Sequence, residues 1–124
     1  MLITLNIKMT SKPTQLGIHL KDLAAQLKQV GLWQLERPSS QALSSSQPFC
    51  LDTLTFEQWL QFVFIEKLHA MIVSDLPLPS KISVAPMGEE AFKSLGKDAA
   101  DINSTLADID ELLSGKKEQS SNVR

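Results

Sequence analysis

The sequence predicts an all-α fold, a small four-helix bundle with a long loop between helices 1 and 2. Two stretches carry apolar residues at alternating spacings of three and four, and a third stretch is apolar on nearly every side. No pair of alternating runs has the turn signals of a hairpin. The chain has 124 residues, of which 43% are hydrophobic and 21% charged, and this is typical of one globular domain with its own core.

The first and last helices are predicted from their apolar stripes. The first covers residues 13–30, with Pro13 in its first turn and Gly31 as its stop. The last covers residues 98–113, with Asp98 as N-cap. Each stripe faces the core: Leu16, Leu20, Leu23, Leu27 and Val30 in the first helix, and Ala99, Ile102, Leu106, Ile109 and Leu113 in the last.

The second helix is predicted to begin at Thr55, which has capping-box spacing to Gln58. Apolar side chains point in nearly every direction around the axis over residues 56–73, so we expect this helix to be the most enclosed of the bundle. Pro77 and Pro79 are expected to end it. A short third helix then opens at the following proline and stops at a glycine, over residues 86–96.

The loop over residues 34–54 changes character along its length. Its first half is rich in Ser and Gln, whereas its second half carries Phe49 and Leu51, which we expect to anchor the loop to the core. Cys50 is expected to be a buried apolar residue, because no basic side chain lies near it in the sequence to activate a thiol.

Three segments make up the expected domain organisation. Residues 1–12 are expected to be a flexible N-terminal segment, residues 13–114 a single helical-bundle domain, and residues 115–124 a disordered C-terminal tail. No signal-peptide core or membrane-spanning stretch is present in the sequence, which predicts a cytoplasmic protein.

Charge is distributed unevenly along the chain. The first 37 residues hold five basic and two acidic side chains, whereas residues 89–113 hold seven acidic and two basic ones. This predicts either two solvated faces or first and last helices that lie side by side with partial charge complementarity. The net charge of −2 disfavours a nucleic-acid partner.

Sequence motifs for catalysis or cofactor binding are absent. The glycines do not form a phosphate loop, the two histidines lack metal-ligand spacing, and one cysteine cannot make an internal disulfide. We therefore expect no catalytic residue, no metal, no cofactor and no enzyme activity. Asp108, Asp110 and Glu111 are expected to form the polar side of the last helix, because they lack a calcium-loop pattern.

Several polar residues are predicted to meet near the start of the second helix. Asp52, Gln61 and Glu89 would line a small polar notch beside Trp59, provided that the start of helix 3 contacts the 47–61 region. Asp52 or Gln61 would then accept the indole N–H of Trp59. Such a notch would either support the long loop or bind a small ligand, and both interpretations remain open.

Part of the chain resembles a known family. The motifs that carry the resemblance cover residues 47–91, and the match extends with weaker specificity over about residues 13–113. They resemble the YqcC-like family of small bacterial proteins, a domain of unknown function: Gln47-Pro48-Phe49, Asp52-Thr53, Glu57-x-Trp59-Leu60-Gln61, Ile65, His69, Pro77-x-Pro79, Ala85-Pro86, Glu89 and Ala91. The resemblance implies an all-α bundle, a translation start near Met9 rather than Met1, and no established enzyme activity. Family genes often lie beside a gene for a tRNA pseudouridine synthase, which implies a role near tRNA modification.

These observations predict a non-enzymatic protein-interaction module that binds an unknown protein partner or itself. The expected surface includes the 47–54 loop with Gln47, Pro48 and Phe49, together with the notch residues. Trp33, Leu43 and Ile18 are further candidates for exposed apolar groups. The alternative is a small-ligand-binding or enzyme-accessory protein that uses the polar notch.

Overall fold

A computed structural model describes residues 11–115 of the chain. Its helices are α1 (Lys12–Gln29), the short α2 (Ser40–Leu43), α3 (residues 56–73), α4 (Ala85–Ala91) and α5 (Ala100–Ser114). The described residues contain no strand, and the predicted all-α fold is confirmed. None of these helices is both long enough and apolar enough to cross a membrane. The predictions for residues 1–10 and 116–124 lie outside the described residues.

Helix α1 follows its sequence signals closely. The Thr14 N–H donates to the Ser11 hydroxyl at 3.3 Å, and Pro13 lies in the first turn. At the other end Gly31 adopts φ 80°, a left-handed conformation that glycine takes without steric cost. The four leucines of the predicted stripe are buried, so local capping and hydrophobic spacing together define this helix.

Helix α3 begins with the predicted capping box and then departs from a regular α-helix. The Gln58 N–H donates to the Thr55 hydroxyl at 3.3 Å, and the Thr55 N–H donates to the Gln58 side-chain oxygen at 2.9 Å. A π-helical stretch over Leu60–Ile65 separates two α-helical parts, Phe56–Trp59 and Glu66–Val73. A π turn is wider than an α turn and is often found at functional sites.

Helix α3 ends before the two prolines that were expected to stop it. Asp75 adopts φ 56°, and the Leu76 N–H donates to the Met71 carbonyl at 2.9 Å. This is the hydrogen-bond pattern of a Schellman motif, with an aspartate where glycine is usual. Leu76 is 53% exposed just beyond this turn, so an apolar side chain stands at the end of α3.

The prediction that α3 is the most enclosed helix is wrong. Glu66, Lys67, His69, Ala70 and Val73 are exposed on its second half. The most enclosed helix is α5, which packs against α1 and α4. It buries seven side chains: Ile102, Thr105, Leu106, Ala107, Ile109, Asp110 and Leu113. Helix α1 lies along α5, so the first and last helices are adjacent, which is one of the two arrangements that the charge distribution left open.

Helices α4 and α5 approach each other at Gly88. A Cβ atom there would lie 2.7 Å from Leu106 Cδ1 and 2.9 Å from Asn103 Oδ1, so any larger residue would force these two side chains to shift. The third helix ends at Ala91, earlier than predicted, and a 3₁₀ stretch over Lys93–Ala99 leads into α5. Asp98 lies within that stretch and does not cap α5, which has no side-chain cap.

The sequence predicted Asp110 on the polar side of the last helix, and this prediction is wrong. Asp110 is fully buried, and its carboxylate accepts the Val84 N–H at 2.9 Å and the Ala85 N–H at 2.8 Å. Helix α4 has no side-chain cap from its own N-cap residue, and Pro86 has no N–H to offer. A carboxylate from α5 therefore satisfies the unpaired donors at the start of α4.

Candidate functional site

An apolar groove lies between α3 and the extended residues 77–84. Its volume is about 660 Å³. The lining side chains of α3 are Trp59, Val63, Phe64, Lys67, Leu68 and Met71, and the opposite wall is residues 77–79 and 81–84, with Phe49 completing the lining. Leu68 and Val84 are nearly inaccessible, whereas Lys67 and Lys81 are exposed. The groove is therefore a mainly apolar depression on the surface with cationic side chains among its lining residues.

Aromatic contacts hold Phe49 at this groove in a strained backbone conformation. Phe49 and Cys50 have φ angles of 57° and 50°, in a region that L-residues other than Asn and Asp rarely adopt. The Phe49 ring meets Trp59 edge-on at 4.8 Å between centroids and Phe56 at 5.9 Å. Such strain persists only where the surrounding packing fixes it, so the position of Phe49 is set by these rings.

The prediction that Phe49 anchors the long loop is thus confirmed, whereas the same prediction for Leu51 is wrong. Leu51 is 53% exposed, because the 3₁₀ turn over Pro48–Cys50 directs the neighbouring Cys50 inward instead. Cys50 is 6% exposed, as expected of a small apolar residue.

Gln61 is buried and holds the first part of the long loop. Its side-chain oxygen accepts the Gln34 N–H at 2.9 Å, and its side-chain amide donates to the Gln34 carbonyl at 2.8 Å. Gln58 adds a third contact by donating to the Gln34 side-chain oxygen at 3.2 Å. Both polar groups of the Gln61 amide are engaged in this way, so Gln61 supports the loop.

The structure does not assemble the predicted polar notch from its four residues. Asp52 accepts a hydrogen bond from the Ser45 hydroxyl within the loop, and Gln61 bonds to the loop backbone. Neither accepts the indole N–H of Trp59. Glu89 lies on α4, and of the four residues only Trp59 lines the groove.

The remaining predicted surface residues have separate positions. Gln47 and Pro48 are exposed beside Phe49, where the Gln47 carbonyl accepts the N–H of Cys50 at 2.9 Å. Ile18 is 53% exposed on α1, while Leu43 is half-buried. Trp33 is half-buried as well, with the Lys28 ammonium 4.9 Å from its ring centroid. These apolar side chains do not line the groove.

One ion pair links the loop to α3 on the surface. Arg37 donates to a Glu66 carboxylate oxygen at 2.7 Å, and the guanidinium lies 5.7 Å from the centroid of Phe62. The hydrogen bond and the negative charge of Glu66 raise the pKa of Arg37 above its ordinary value. Both side chains are about half exposed, so water screens the pair and it contributes little stability.

The groove wall at 77–84 was not identified as part of a site from the sequence. The sequence predicts Pro77 and Pro79 as residues that stop the helix. In the structure both prolines line the groove, together with Leu78 and Ile82. The available signal was an apolar stretch interrupted by prolines directly after an apolar helix. Among the described residues, no three His, Cys, Asp or Glu side chains come together as candidate metal ligands.

Comparisons with known proteins give consistent family assignments. A family model described as tRNA pseudouridine synthase C matches residues 15–112. An uncharacterized protein of Haemophilus influenzae is 40% identical over 79 residues, which are 64% of this chain and 74% of that protein. A tRNA pseudouridine synthase C of Pectobacterium carotovorum is 39% identical over 69 residues, which are 56% of this chain but 18% of that protein.

The third relative has a solved structure. The uncharacterized protein YqcC of Escherichia coli is 33% identical over 95 residues, which are 77% of this chain and 87% of YqcC. Its solution NMR structure superposes with a TM-score of 0.75 at 28% identity, covering 90% of this chain and 95% of that one. Sequence and fold agree over the whole helical core, and the chain belongs to the YqcC-like family of bacterial proteins.

Proposed function

We propose that this protein is a non-catalytic accessory module that binds a tRNA pseudouridine synthase. The observation that carries the proposal is the Pectobacterium relative: a segment like this chain makes up 18% of a protein named tRNA pseudouridine synthase C. A module that is fused to an enzyme in one bacterium often binds the same enzyme as a separate chain in another. Such a role would place the protein in the cytoplasm, where tRNA is modified.

The groove is the surface that best suits this role. Its walls are apolar, and aromatic residues are enriched at the energetic centres of protein interfaces. Phe49 and Trp59 already pack against each other at 4.8 Å, so little side-chain freedom would be lost when a partner docks. The site therefore supports binding of an apolar segment of the enzyme more directly than binding of a small polar ligand at the predicted notch.

A binding experiment with the synthase of the same organism tests the proposal. Purified protein and synthase are mixed and followed by sedimentation velocity, and we expect a complex that Phe49→Ala weakens. Leu51→Ala is the matched control, because Leu51 lies in the same loop, is 53% exposed and does not line the groove. Independent sedimentation of the two wild-type proteins at micromolar concentration would overturn the proposal.

A second measurement addresses catalysis itself. The protein alone is incubated with unmodified tRNA, and pseudouridine is quantified by mass spectrometry of the digested RNA. We expect pseudouridine in the tRNA when the synthase is present and none when it is absent. Pseudouridine formed by the purified protein alone would contradict a non-catalytic role.

A further inference from the structure

We propose that the groove receives an acidic, apolar segment of its partner, in which carboxylates alternate with apolar anchors. The identity of the partner rests on the proposed function, whereas the chemistry of the segment rests on the groove. The floor and walls accept apolar side chains through Phe64, Leu68, Met71, Leu78 and Ile82. Burial of such side chains supplies the gain in free energy on docking.

The charges of the groove decide which segment fits. Of the described residues that line it, Lys67 and Lys81 are the charged ones. Both are exposed, and neither makes an ion pair or a cation–π contact within residues 11–115. Two unpaired cations thus lie beside the apolar surface, although the whole chain has a net charge of −2. Carboxylates on a docked segment would complement them, and basic residues would be repelled.

The chain's own ends do not have this chemistry. Residues 1–10 contain one lysine and no acidic residue, and residues 116–124 contain three basic residues and one acidic residue. Both ends would bring positive charge to a positive site, so charge disfavours either as the occupant. A separate polypeptide with acidic residues next to apolar ones is the complementary choice.

The first test reverses the two charges. Binding of the synthase is measured for wild type and for the double variant Lys67→Glu/Lys81→Glu, and we expect the variant to bind about tenfold more weakly because attraction becomes repulsion. The control Lys12→Glu/Lys21→Glu makes the same change in net charge at two exposed positions of α1 that do not line the groove. Wild-type affinity should also fall as salt is raised, since rim charges are screened.

The second test uses peptides of defined chemistry. Two synthetic amphipathic peptides of equal length, one of Leu and Glu and the other of Leu and Lys, are titrated into a Trp33→Phe variant. The chain has two tryptophans, so Trp59 in the groove is then the sole reporter. We expect the Leu/Glu peptide to change its fluorescence and the Leu/Lys peptide to have no effect. The charge-reversed variant should invert this preference.

The outcomes separate the two proposals. If the synthase binds and the charge reversal leaves its affinity unchanged, the acidic-segment proposal is overturned while the proposed function stands. If the synthase does not bind but the Leu/Glu peptide does, the groove chemistry is supported and the proposed function is wrong. Failure of both overturns both. A wild-type dimer that the charge reversal dissociates would show instead that a second copy occupies the groove.

Discussion

Replacing Asp110 by alanine is expected to lower the free energy of unfolding by about 3 kcal/mol, because the N–H groups of Val84 and Ala85 would lose their acceptor inside the protein. Asp110 is 0% exposed, so water cannot readily substitute for the carboxylate. The two donors now lie 2.9 Å and 2.8 Å from its oxygens. The start of α4 would thus be left without a cap.

The magnitude follows from two opposing contributions. Each hydrogen bond to a charged acceptor contributes about 1.5–3 kcal/mol net, so two of them give about 3–6 kcal/mol. Removal of the carboxylate also removes the cost of burying its charge, which places the net loss near the lower end of that range. Asp110→Asn should lose less, since one amide oxygen remains as an acceptor while its NH₂ group faces a donor.

Urea unfolding followed by circular dichroism measures the loss, with Asp101→Asn as control. Asp101 is an exposed carboxylate in the first turn of α5, and its replacement should cost less than about 1 kcal/mol. Hydrogen exchange gives the local readout, because the amides of Val84 and Ala85 should exchange faster in the alanine variant. Variants at Asp110 that unfold at the wild-type urea concentration would refute the capping argument.

Five further substitutions, arranged as three tests, probe the packing. Gly88→Ala should destabilise the fold by about 1–3 kcal/mol through the clash with α5. Gly17→Ala, at a position where an added Cβ meets nothing within 4 Å, should stabilise the fold by about 0.5–1 kcal/mol. Thermal melts compare the two variants, and equal melting temperatures would contradict the close approach at Gly88. Gln61→Ala should lower the free energy of unfolding by about 1–3 kcal/mol and expose the amide of residue 34 to hydrogen exchange. Unchanged protection of that amide would argue against the hydrogen bonds between Gln61 and the loop. Leu60→Ala should lower the free energy of unfolding by about 2–5 kcal/mol, and Leu51→Ala, at a half-exposed position, by less than about 1 kcal/mol. Similar urea midpoints for the two leucine variants would be inconsistent with the burial described.

Features fixed by neighbouring residues were predictable from the sequence. The capping box of Thr55 and Gln58, the leucine stripe of α1 and the stop at Gly31 each depend on residues within a turn or two. The all-α class follows from such local patterns. For the same reason, the boundaries of α1 and the start of α3 were accurate, whereas the predicted stop at Gly96 and the predicted cap at Asp98 were wrong.

Features fixed by distant residues were not predictable in this way. The role of Asp110 depends on donors 25 and 26 residues away, and an aspartate in a helix pattern ordinarily indicates a solvated position. The close approach at Gly88 likewise depends on Asn103 and Leu106, which belong to a different helix. Each depends on how α4 crosses α5, which hydrophobic spacing alone does not determine.

The misjudged exposure of α3 has a related cause. Its all-round apolar pattern predicts burial on every side, but Val63 and Met71 face the groove rather than the bundle interior. An apolar side chain that lines an accessible depression and one that lies in a core look identical in a sequence. The candidate site was therefore predictable at Phe49 and Trp59, and not at the wall formed by residues 77–84.

Val84 links the groove to the interior of the bundle. It is the last residue of the extended wall, and its N–H is bound by the carboxylate of Asp110. The wall thus begins after the exposed turn that ends α3, and a carboxylate of α5 binds its far end. A ligand that binds residues 77–84 in this conformation would raise the melting temperature of the whole fold. Conversely, loss of the Asp110 hydrogen bonds should lower the affinity for that ligand along with the stability of the fold.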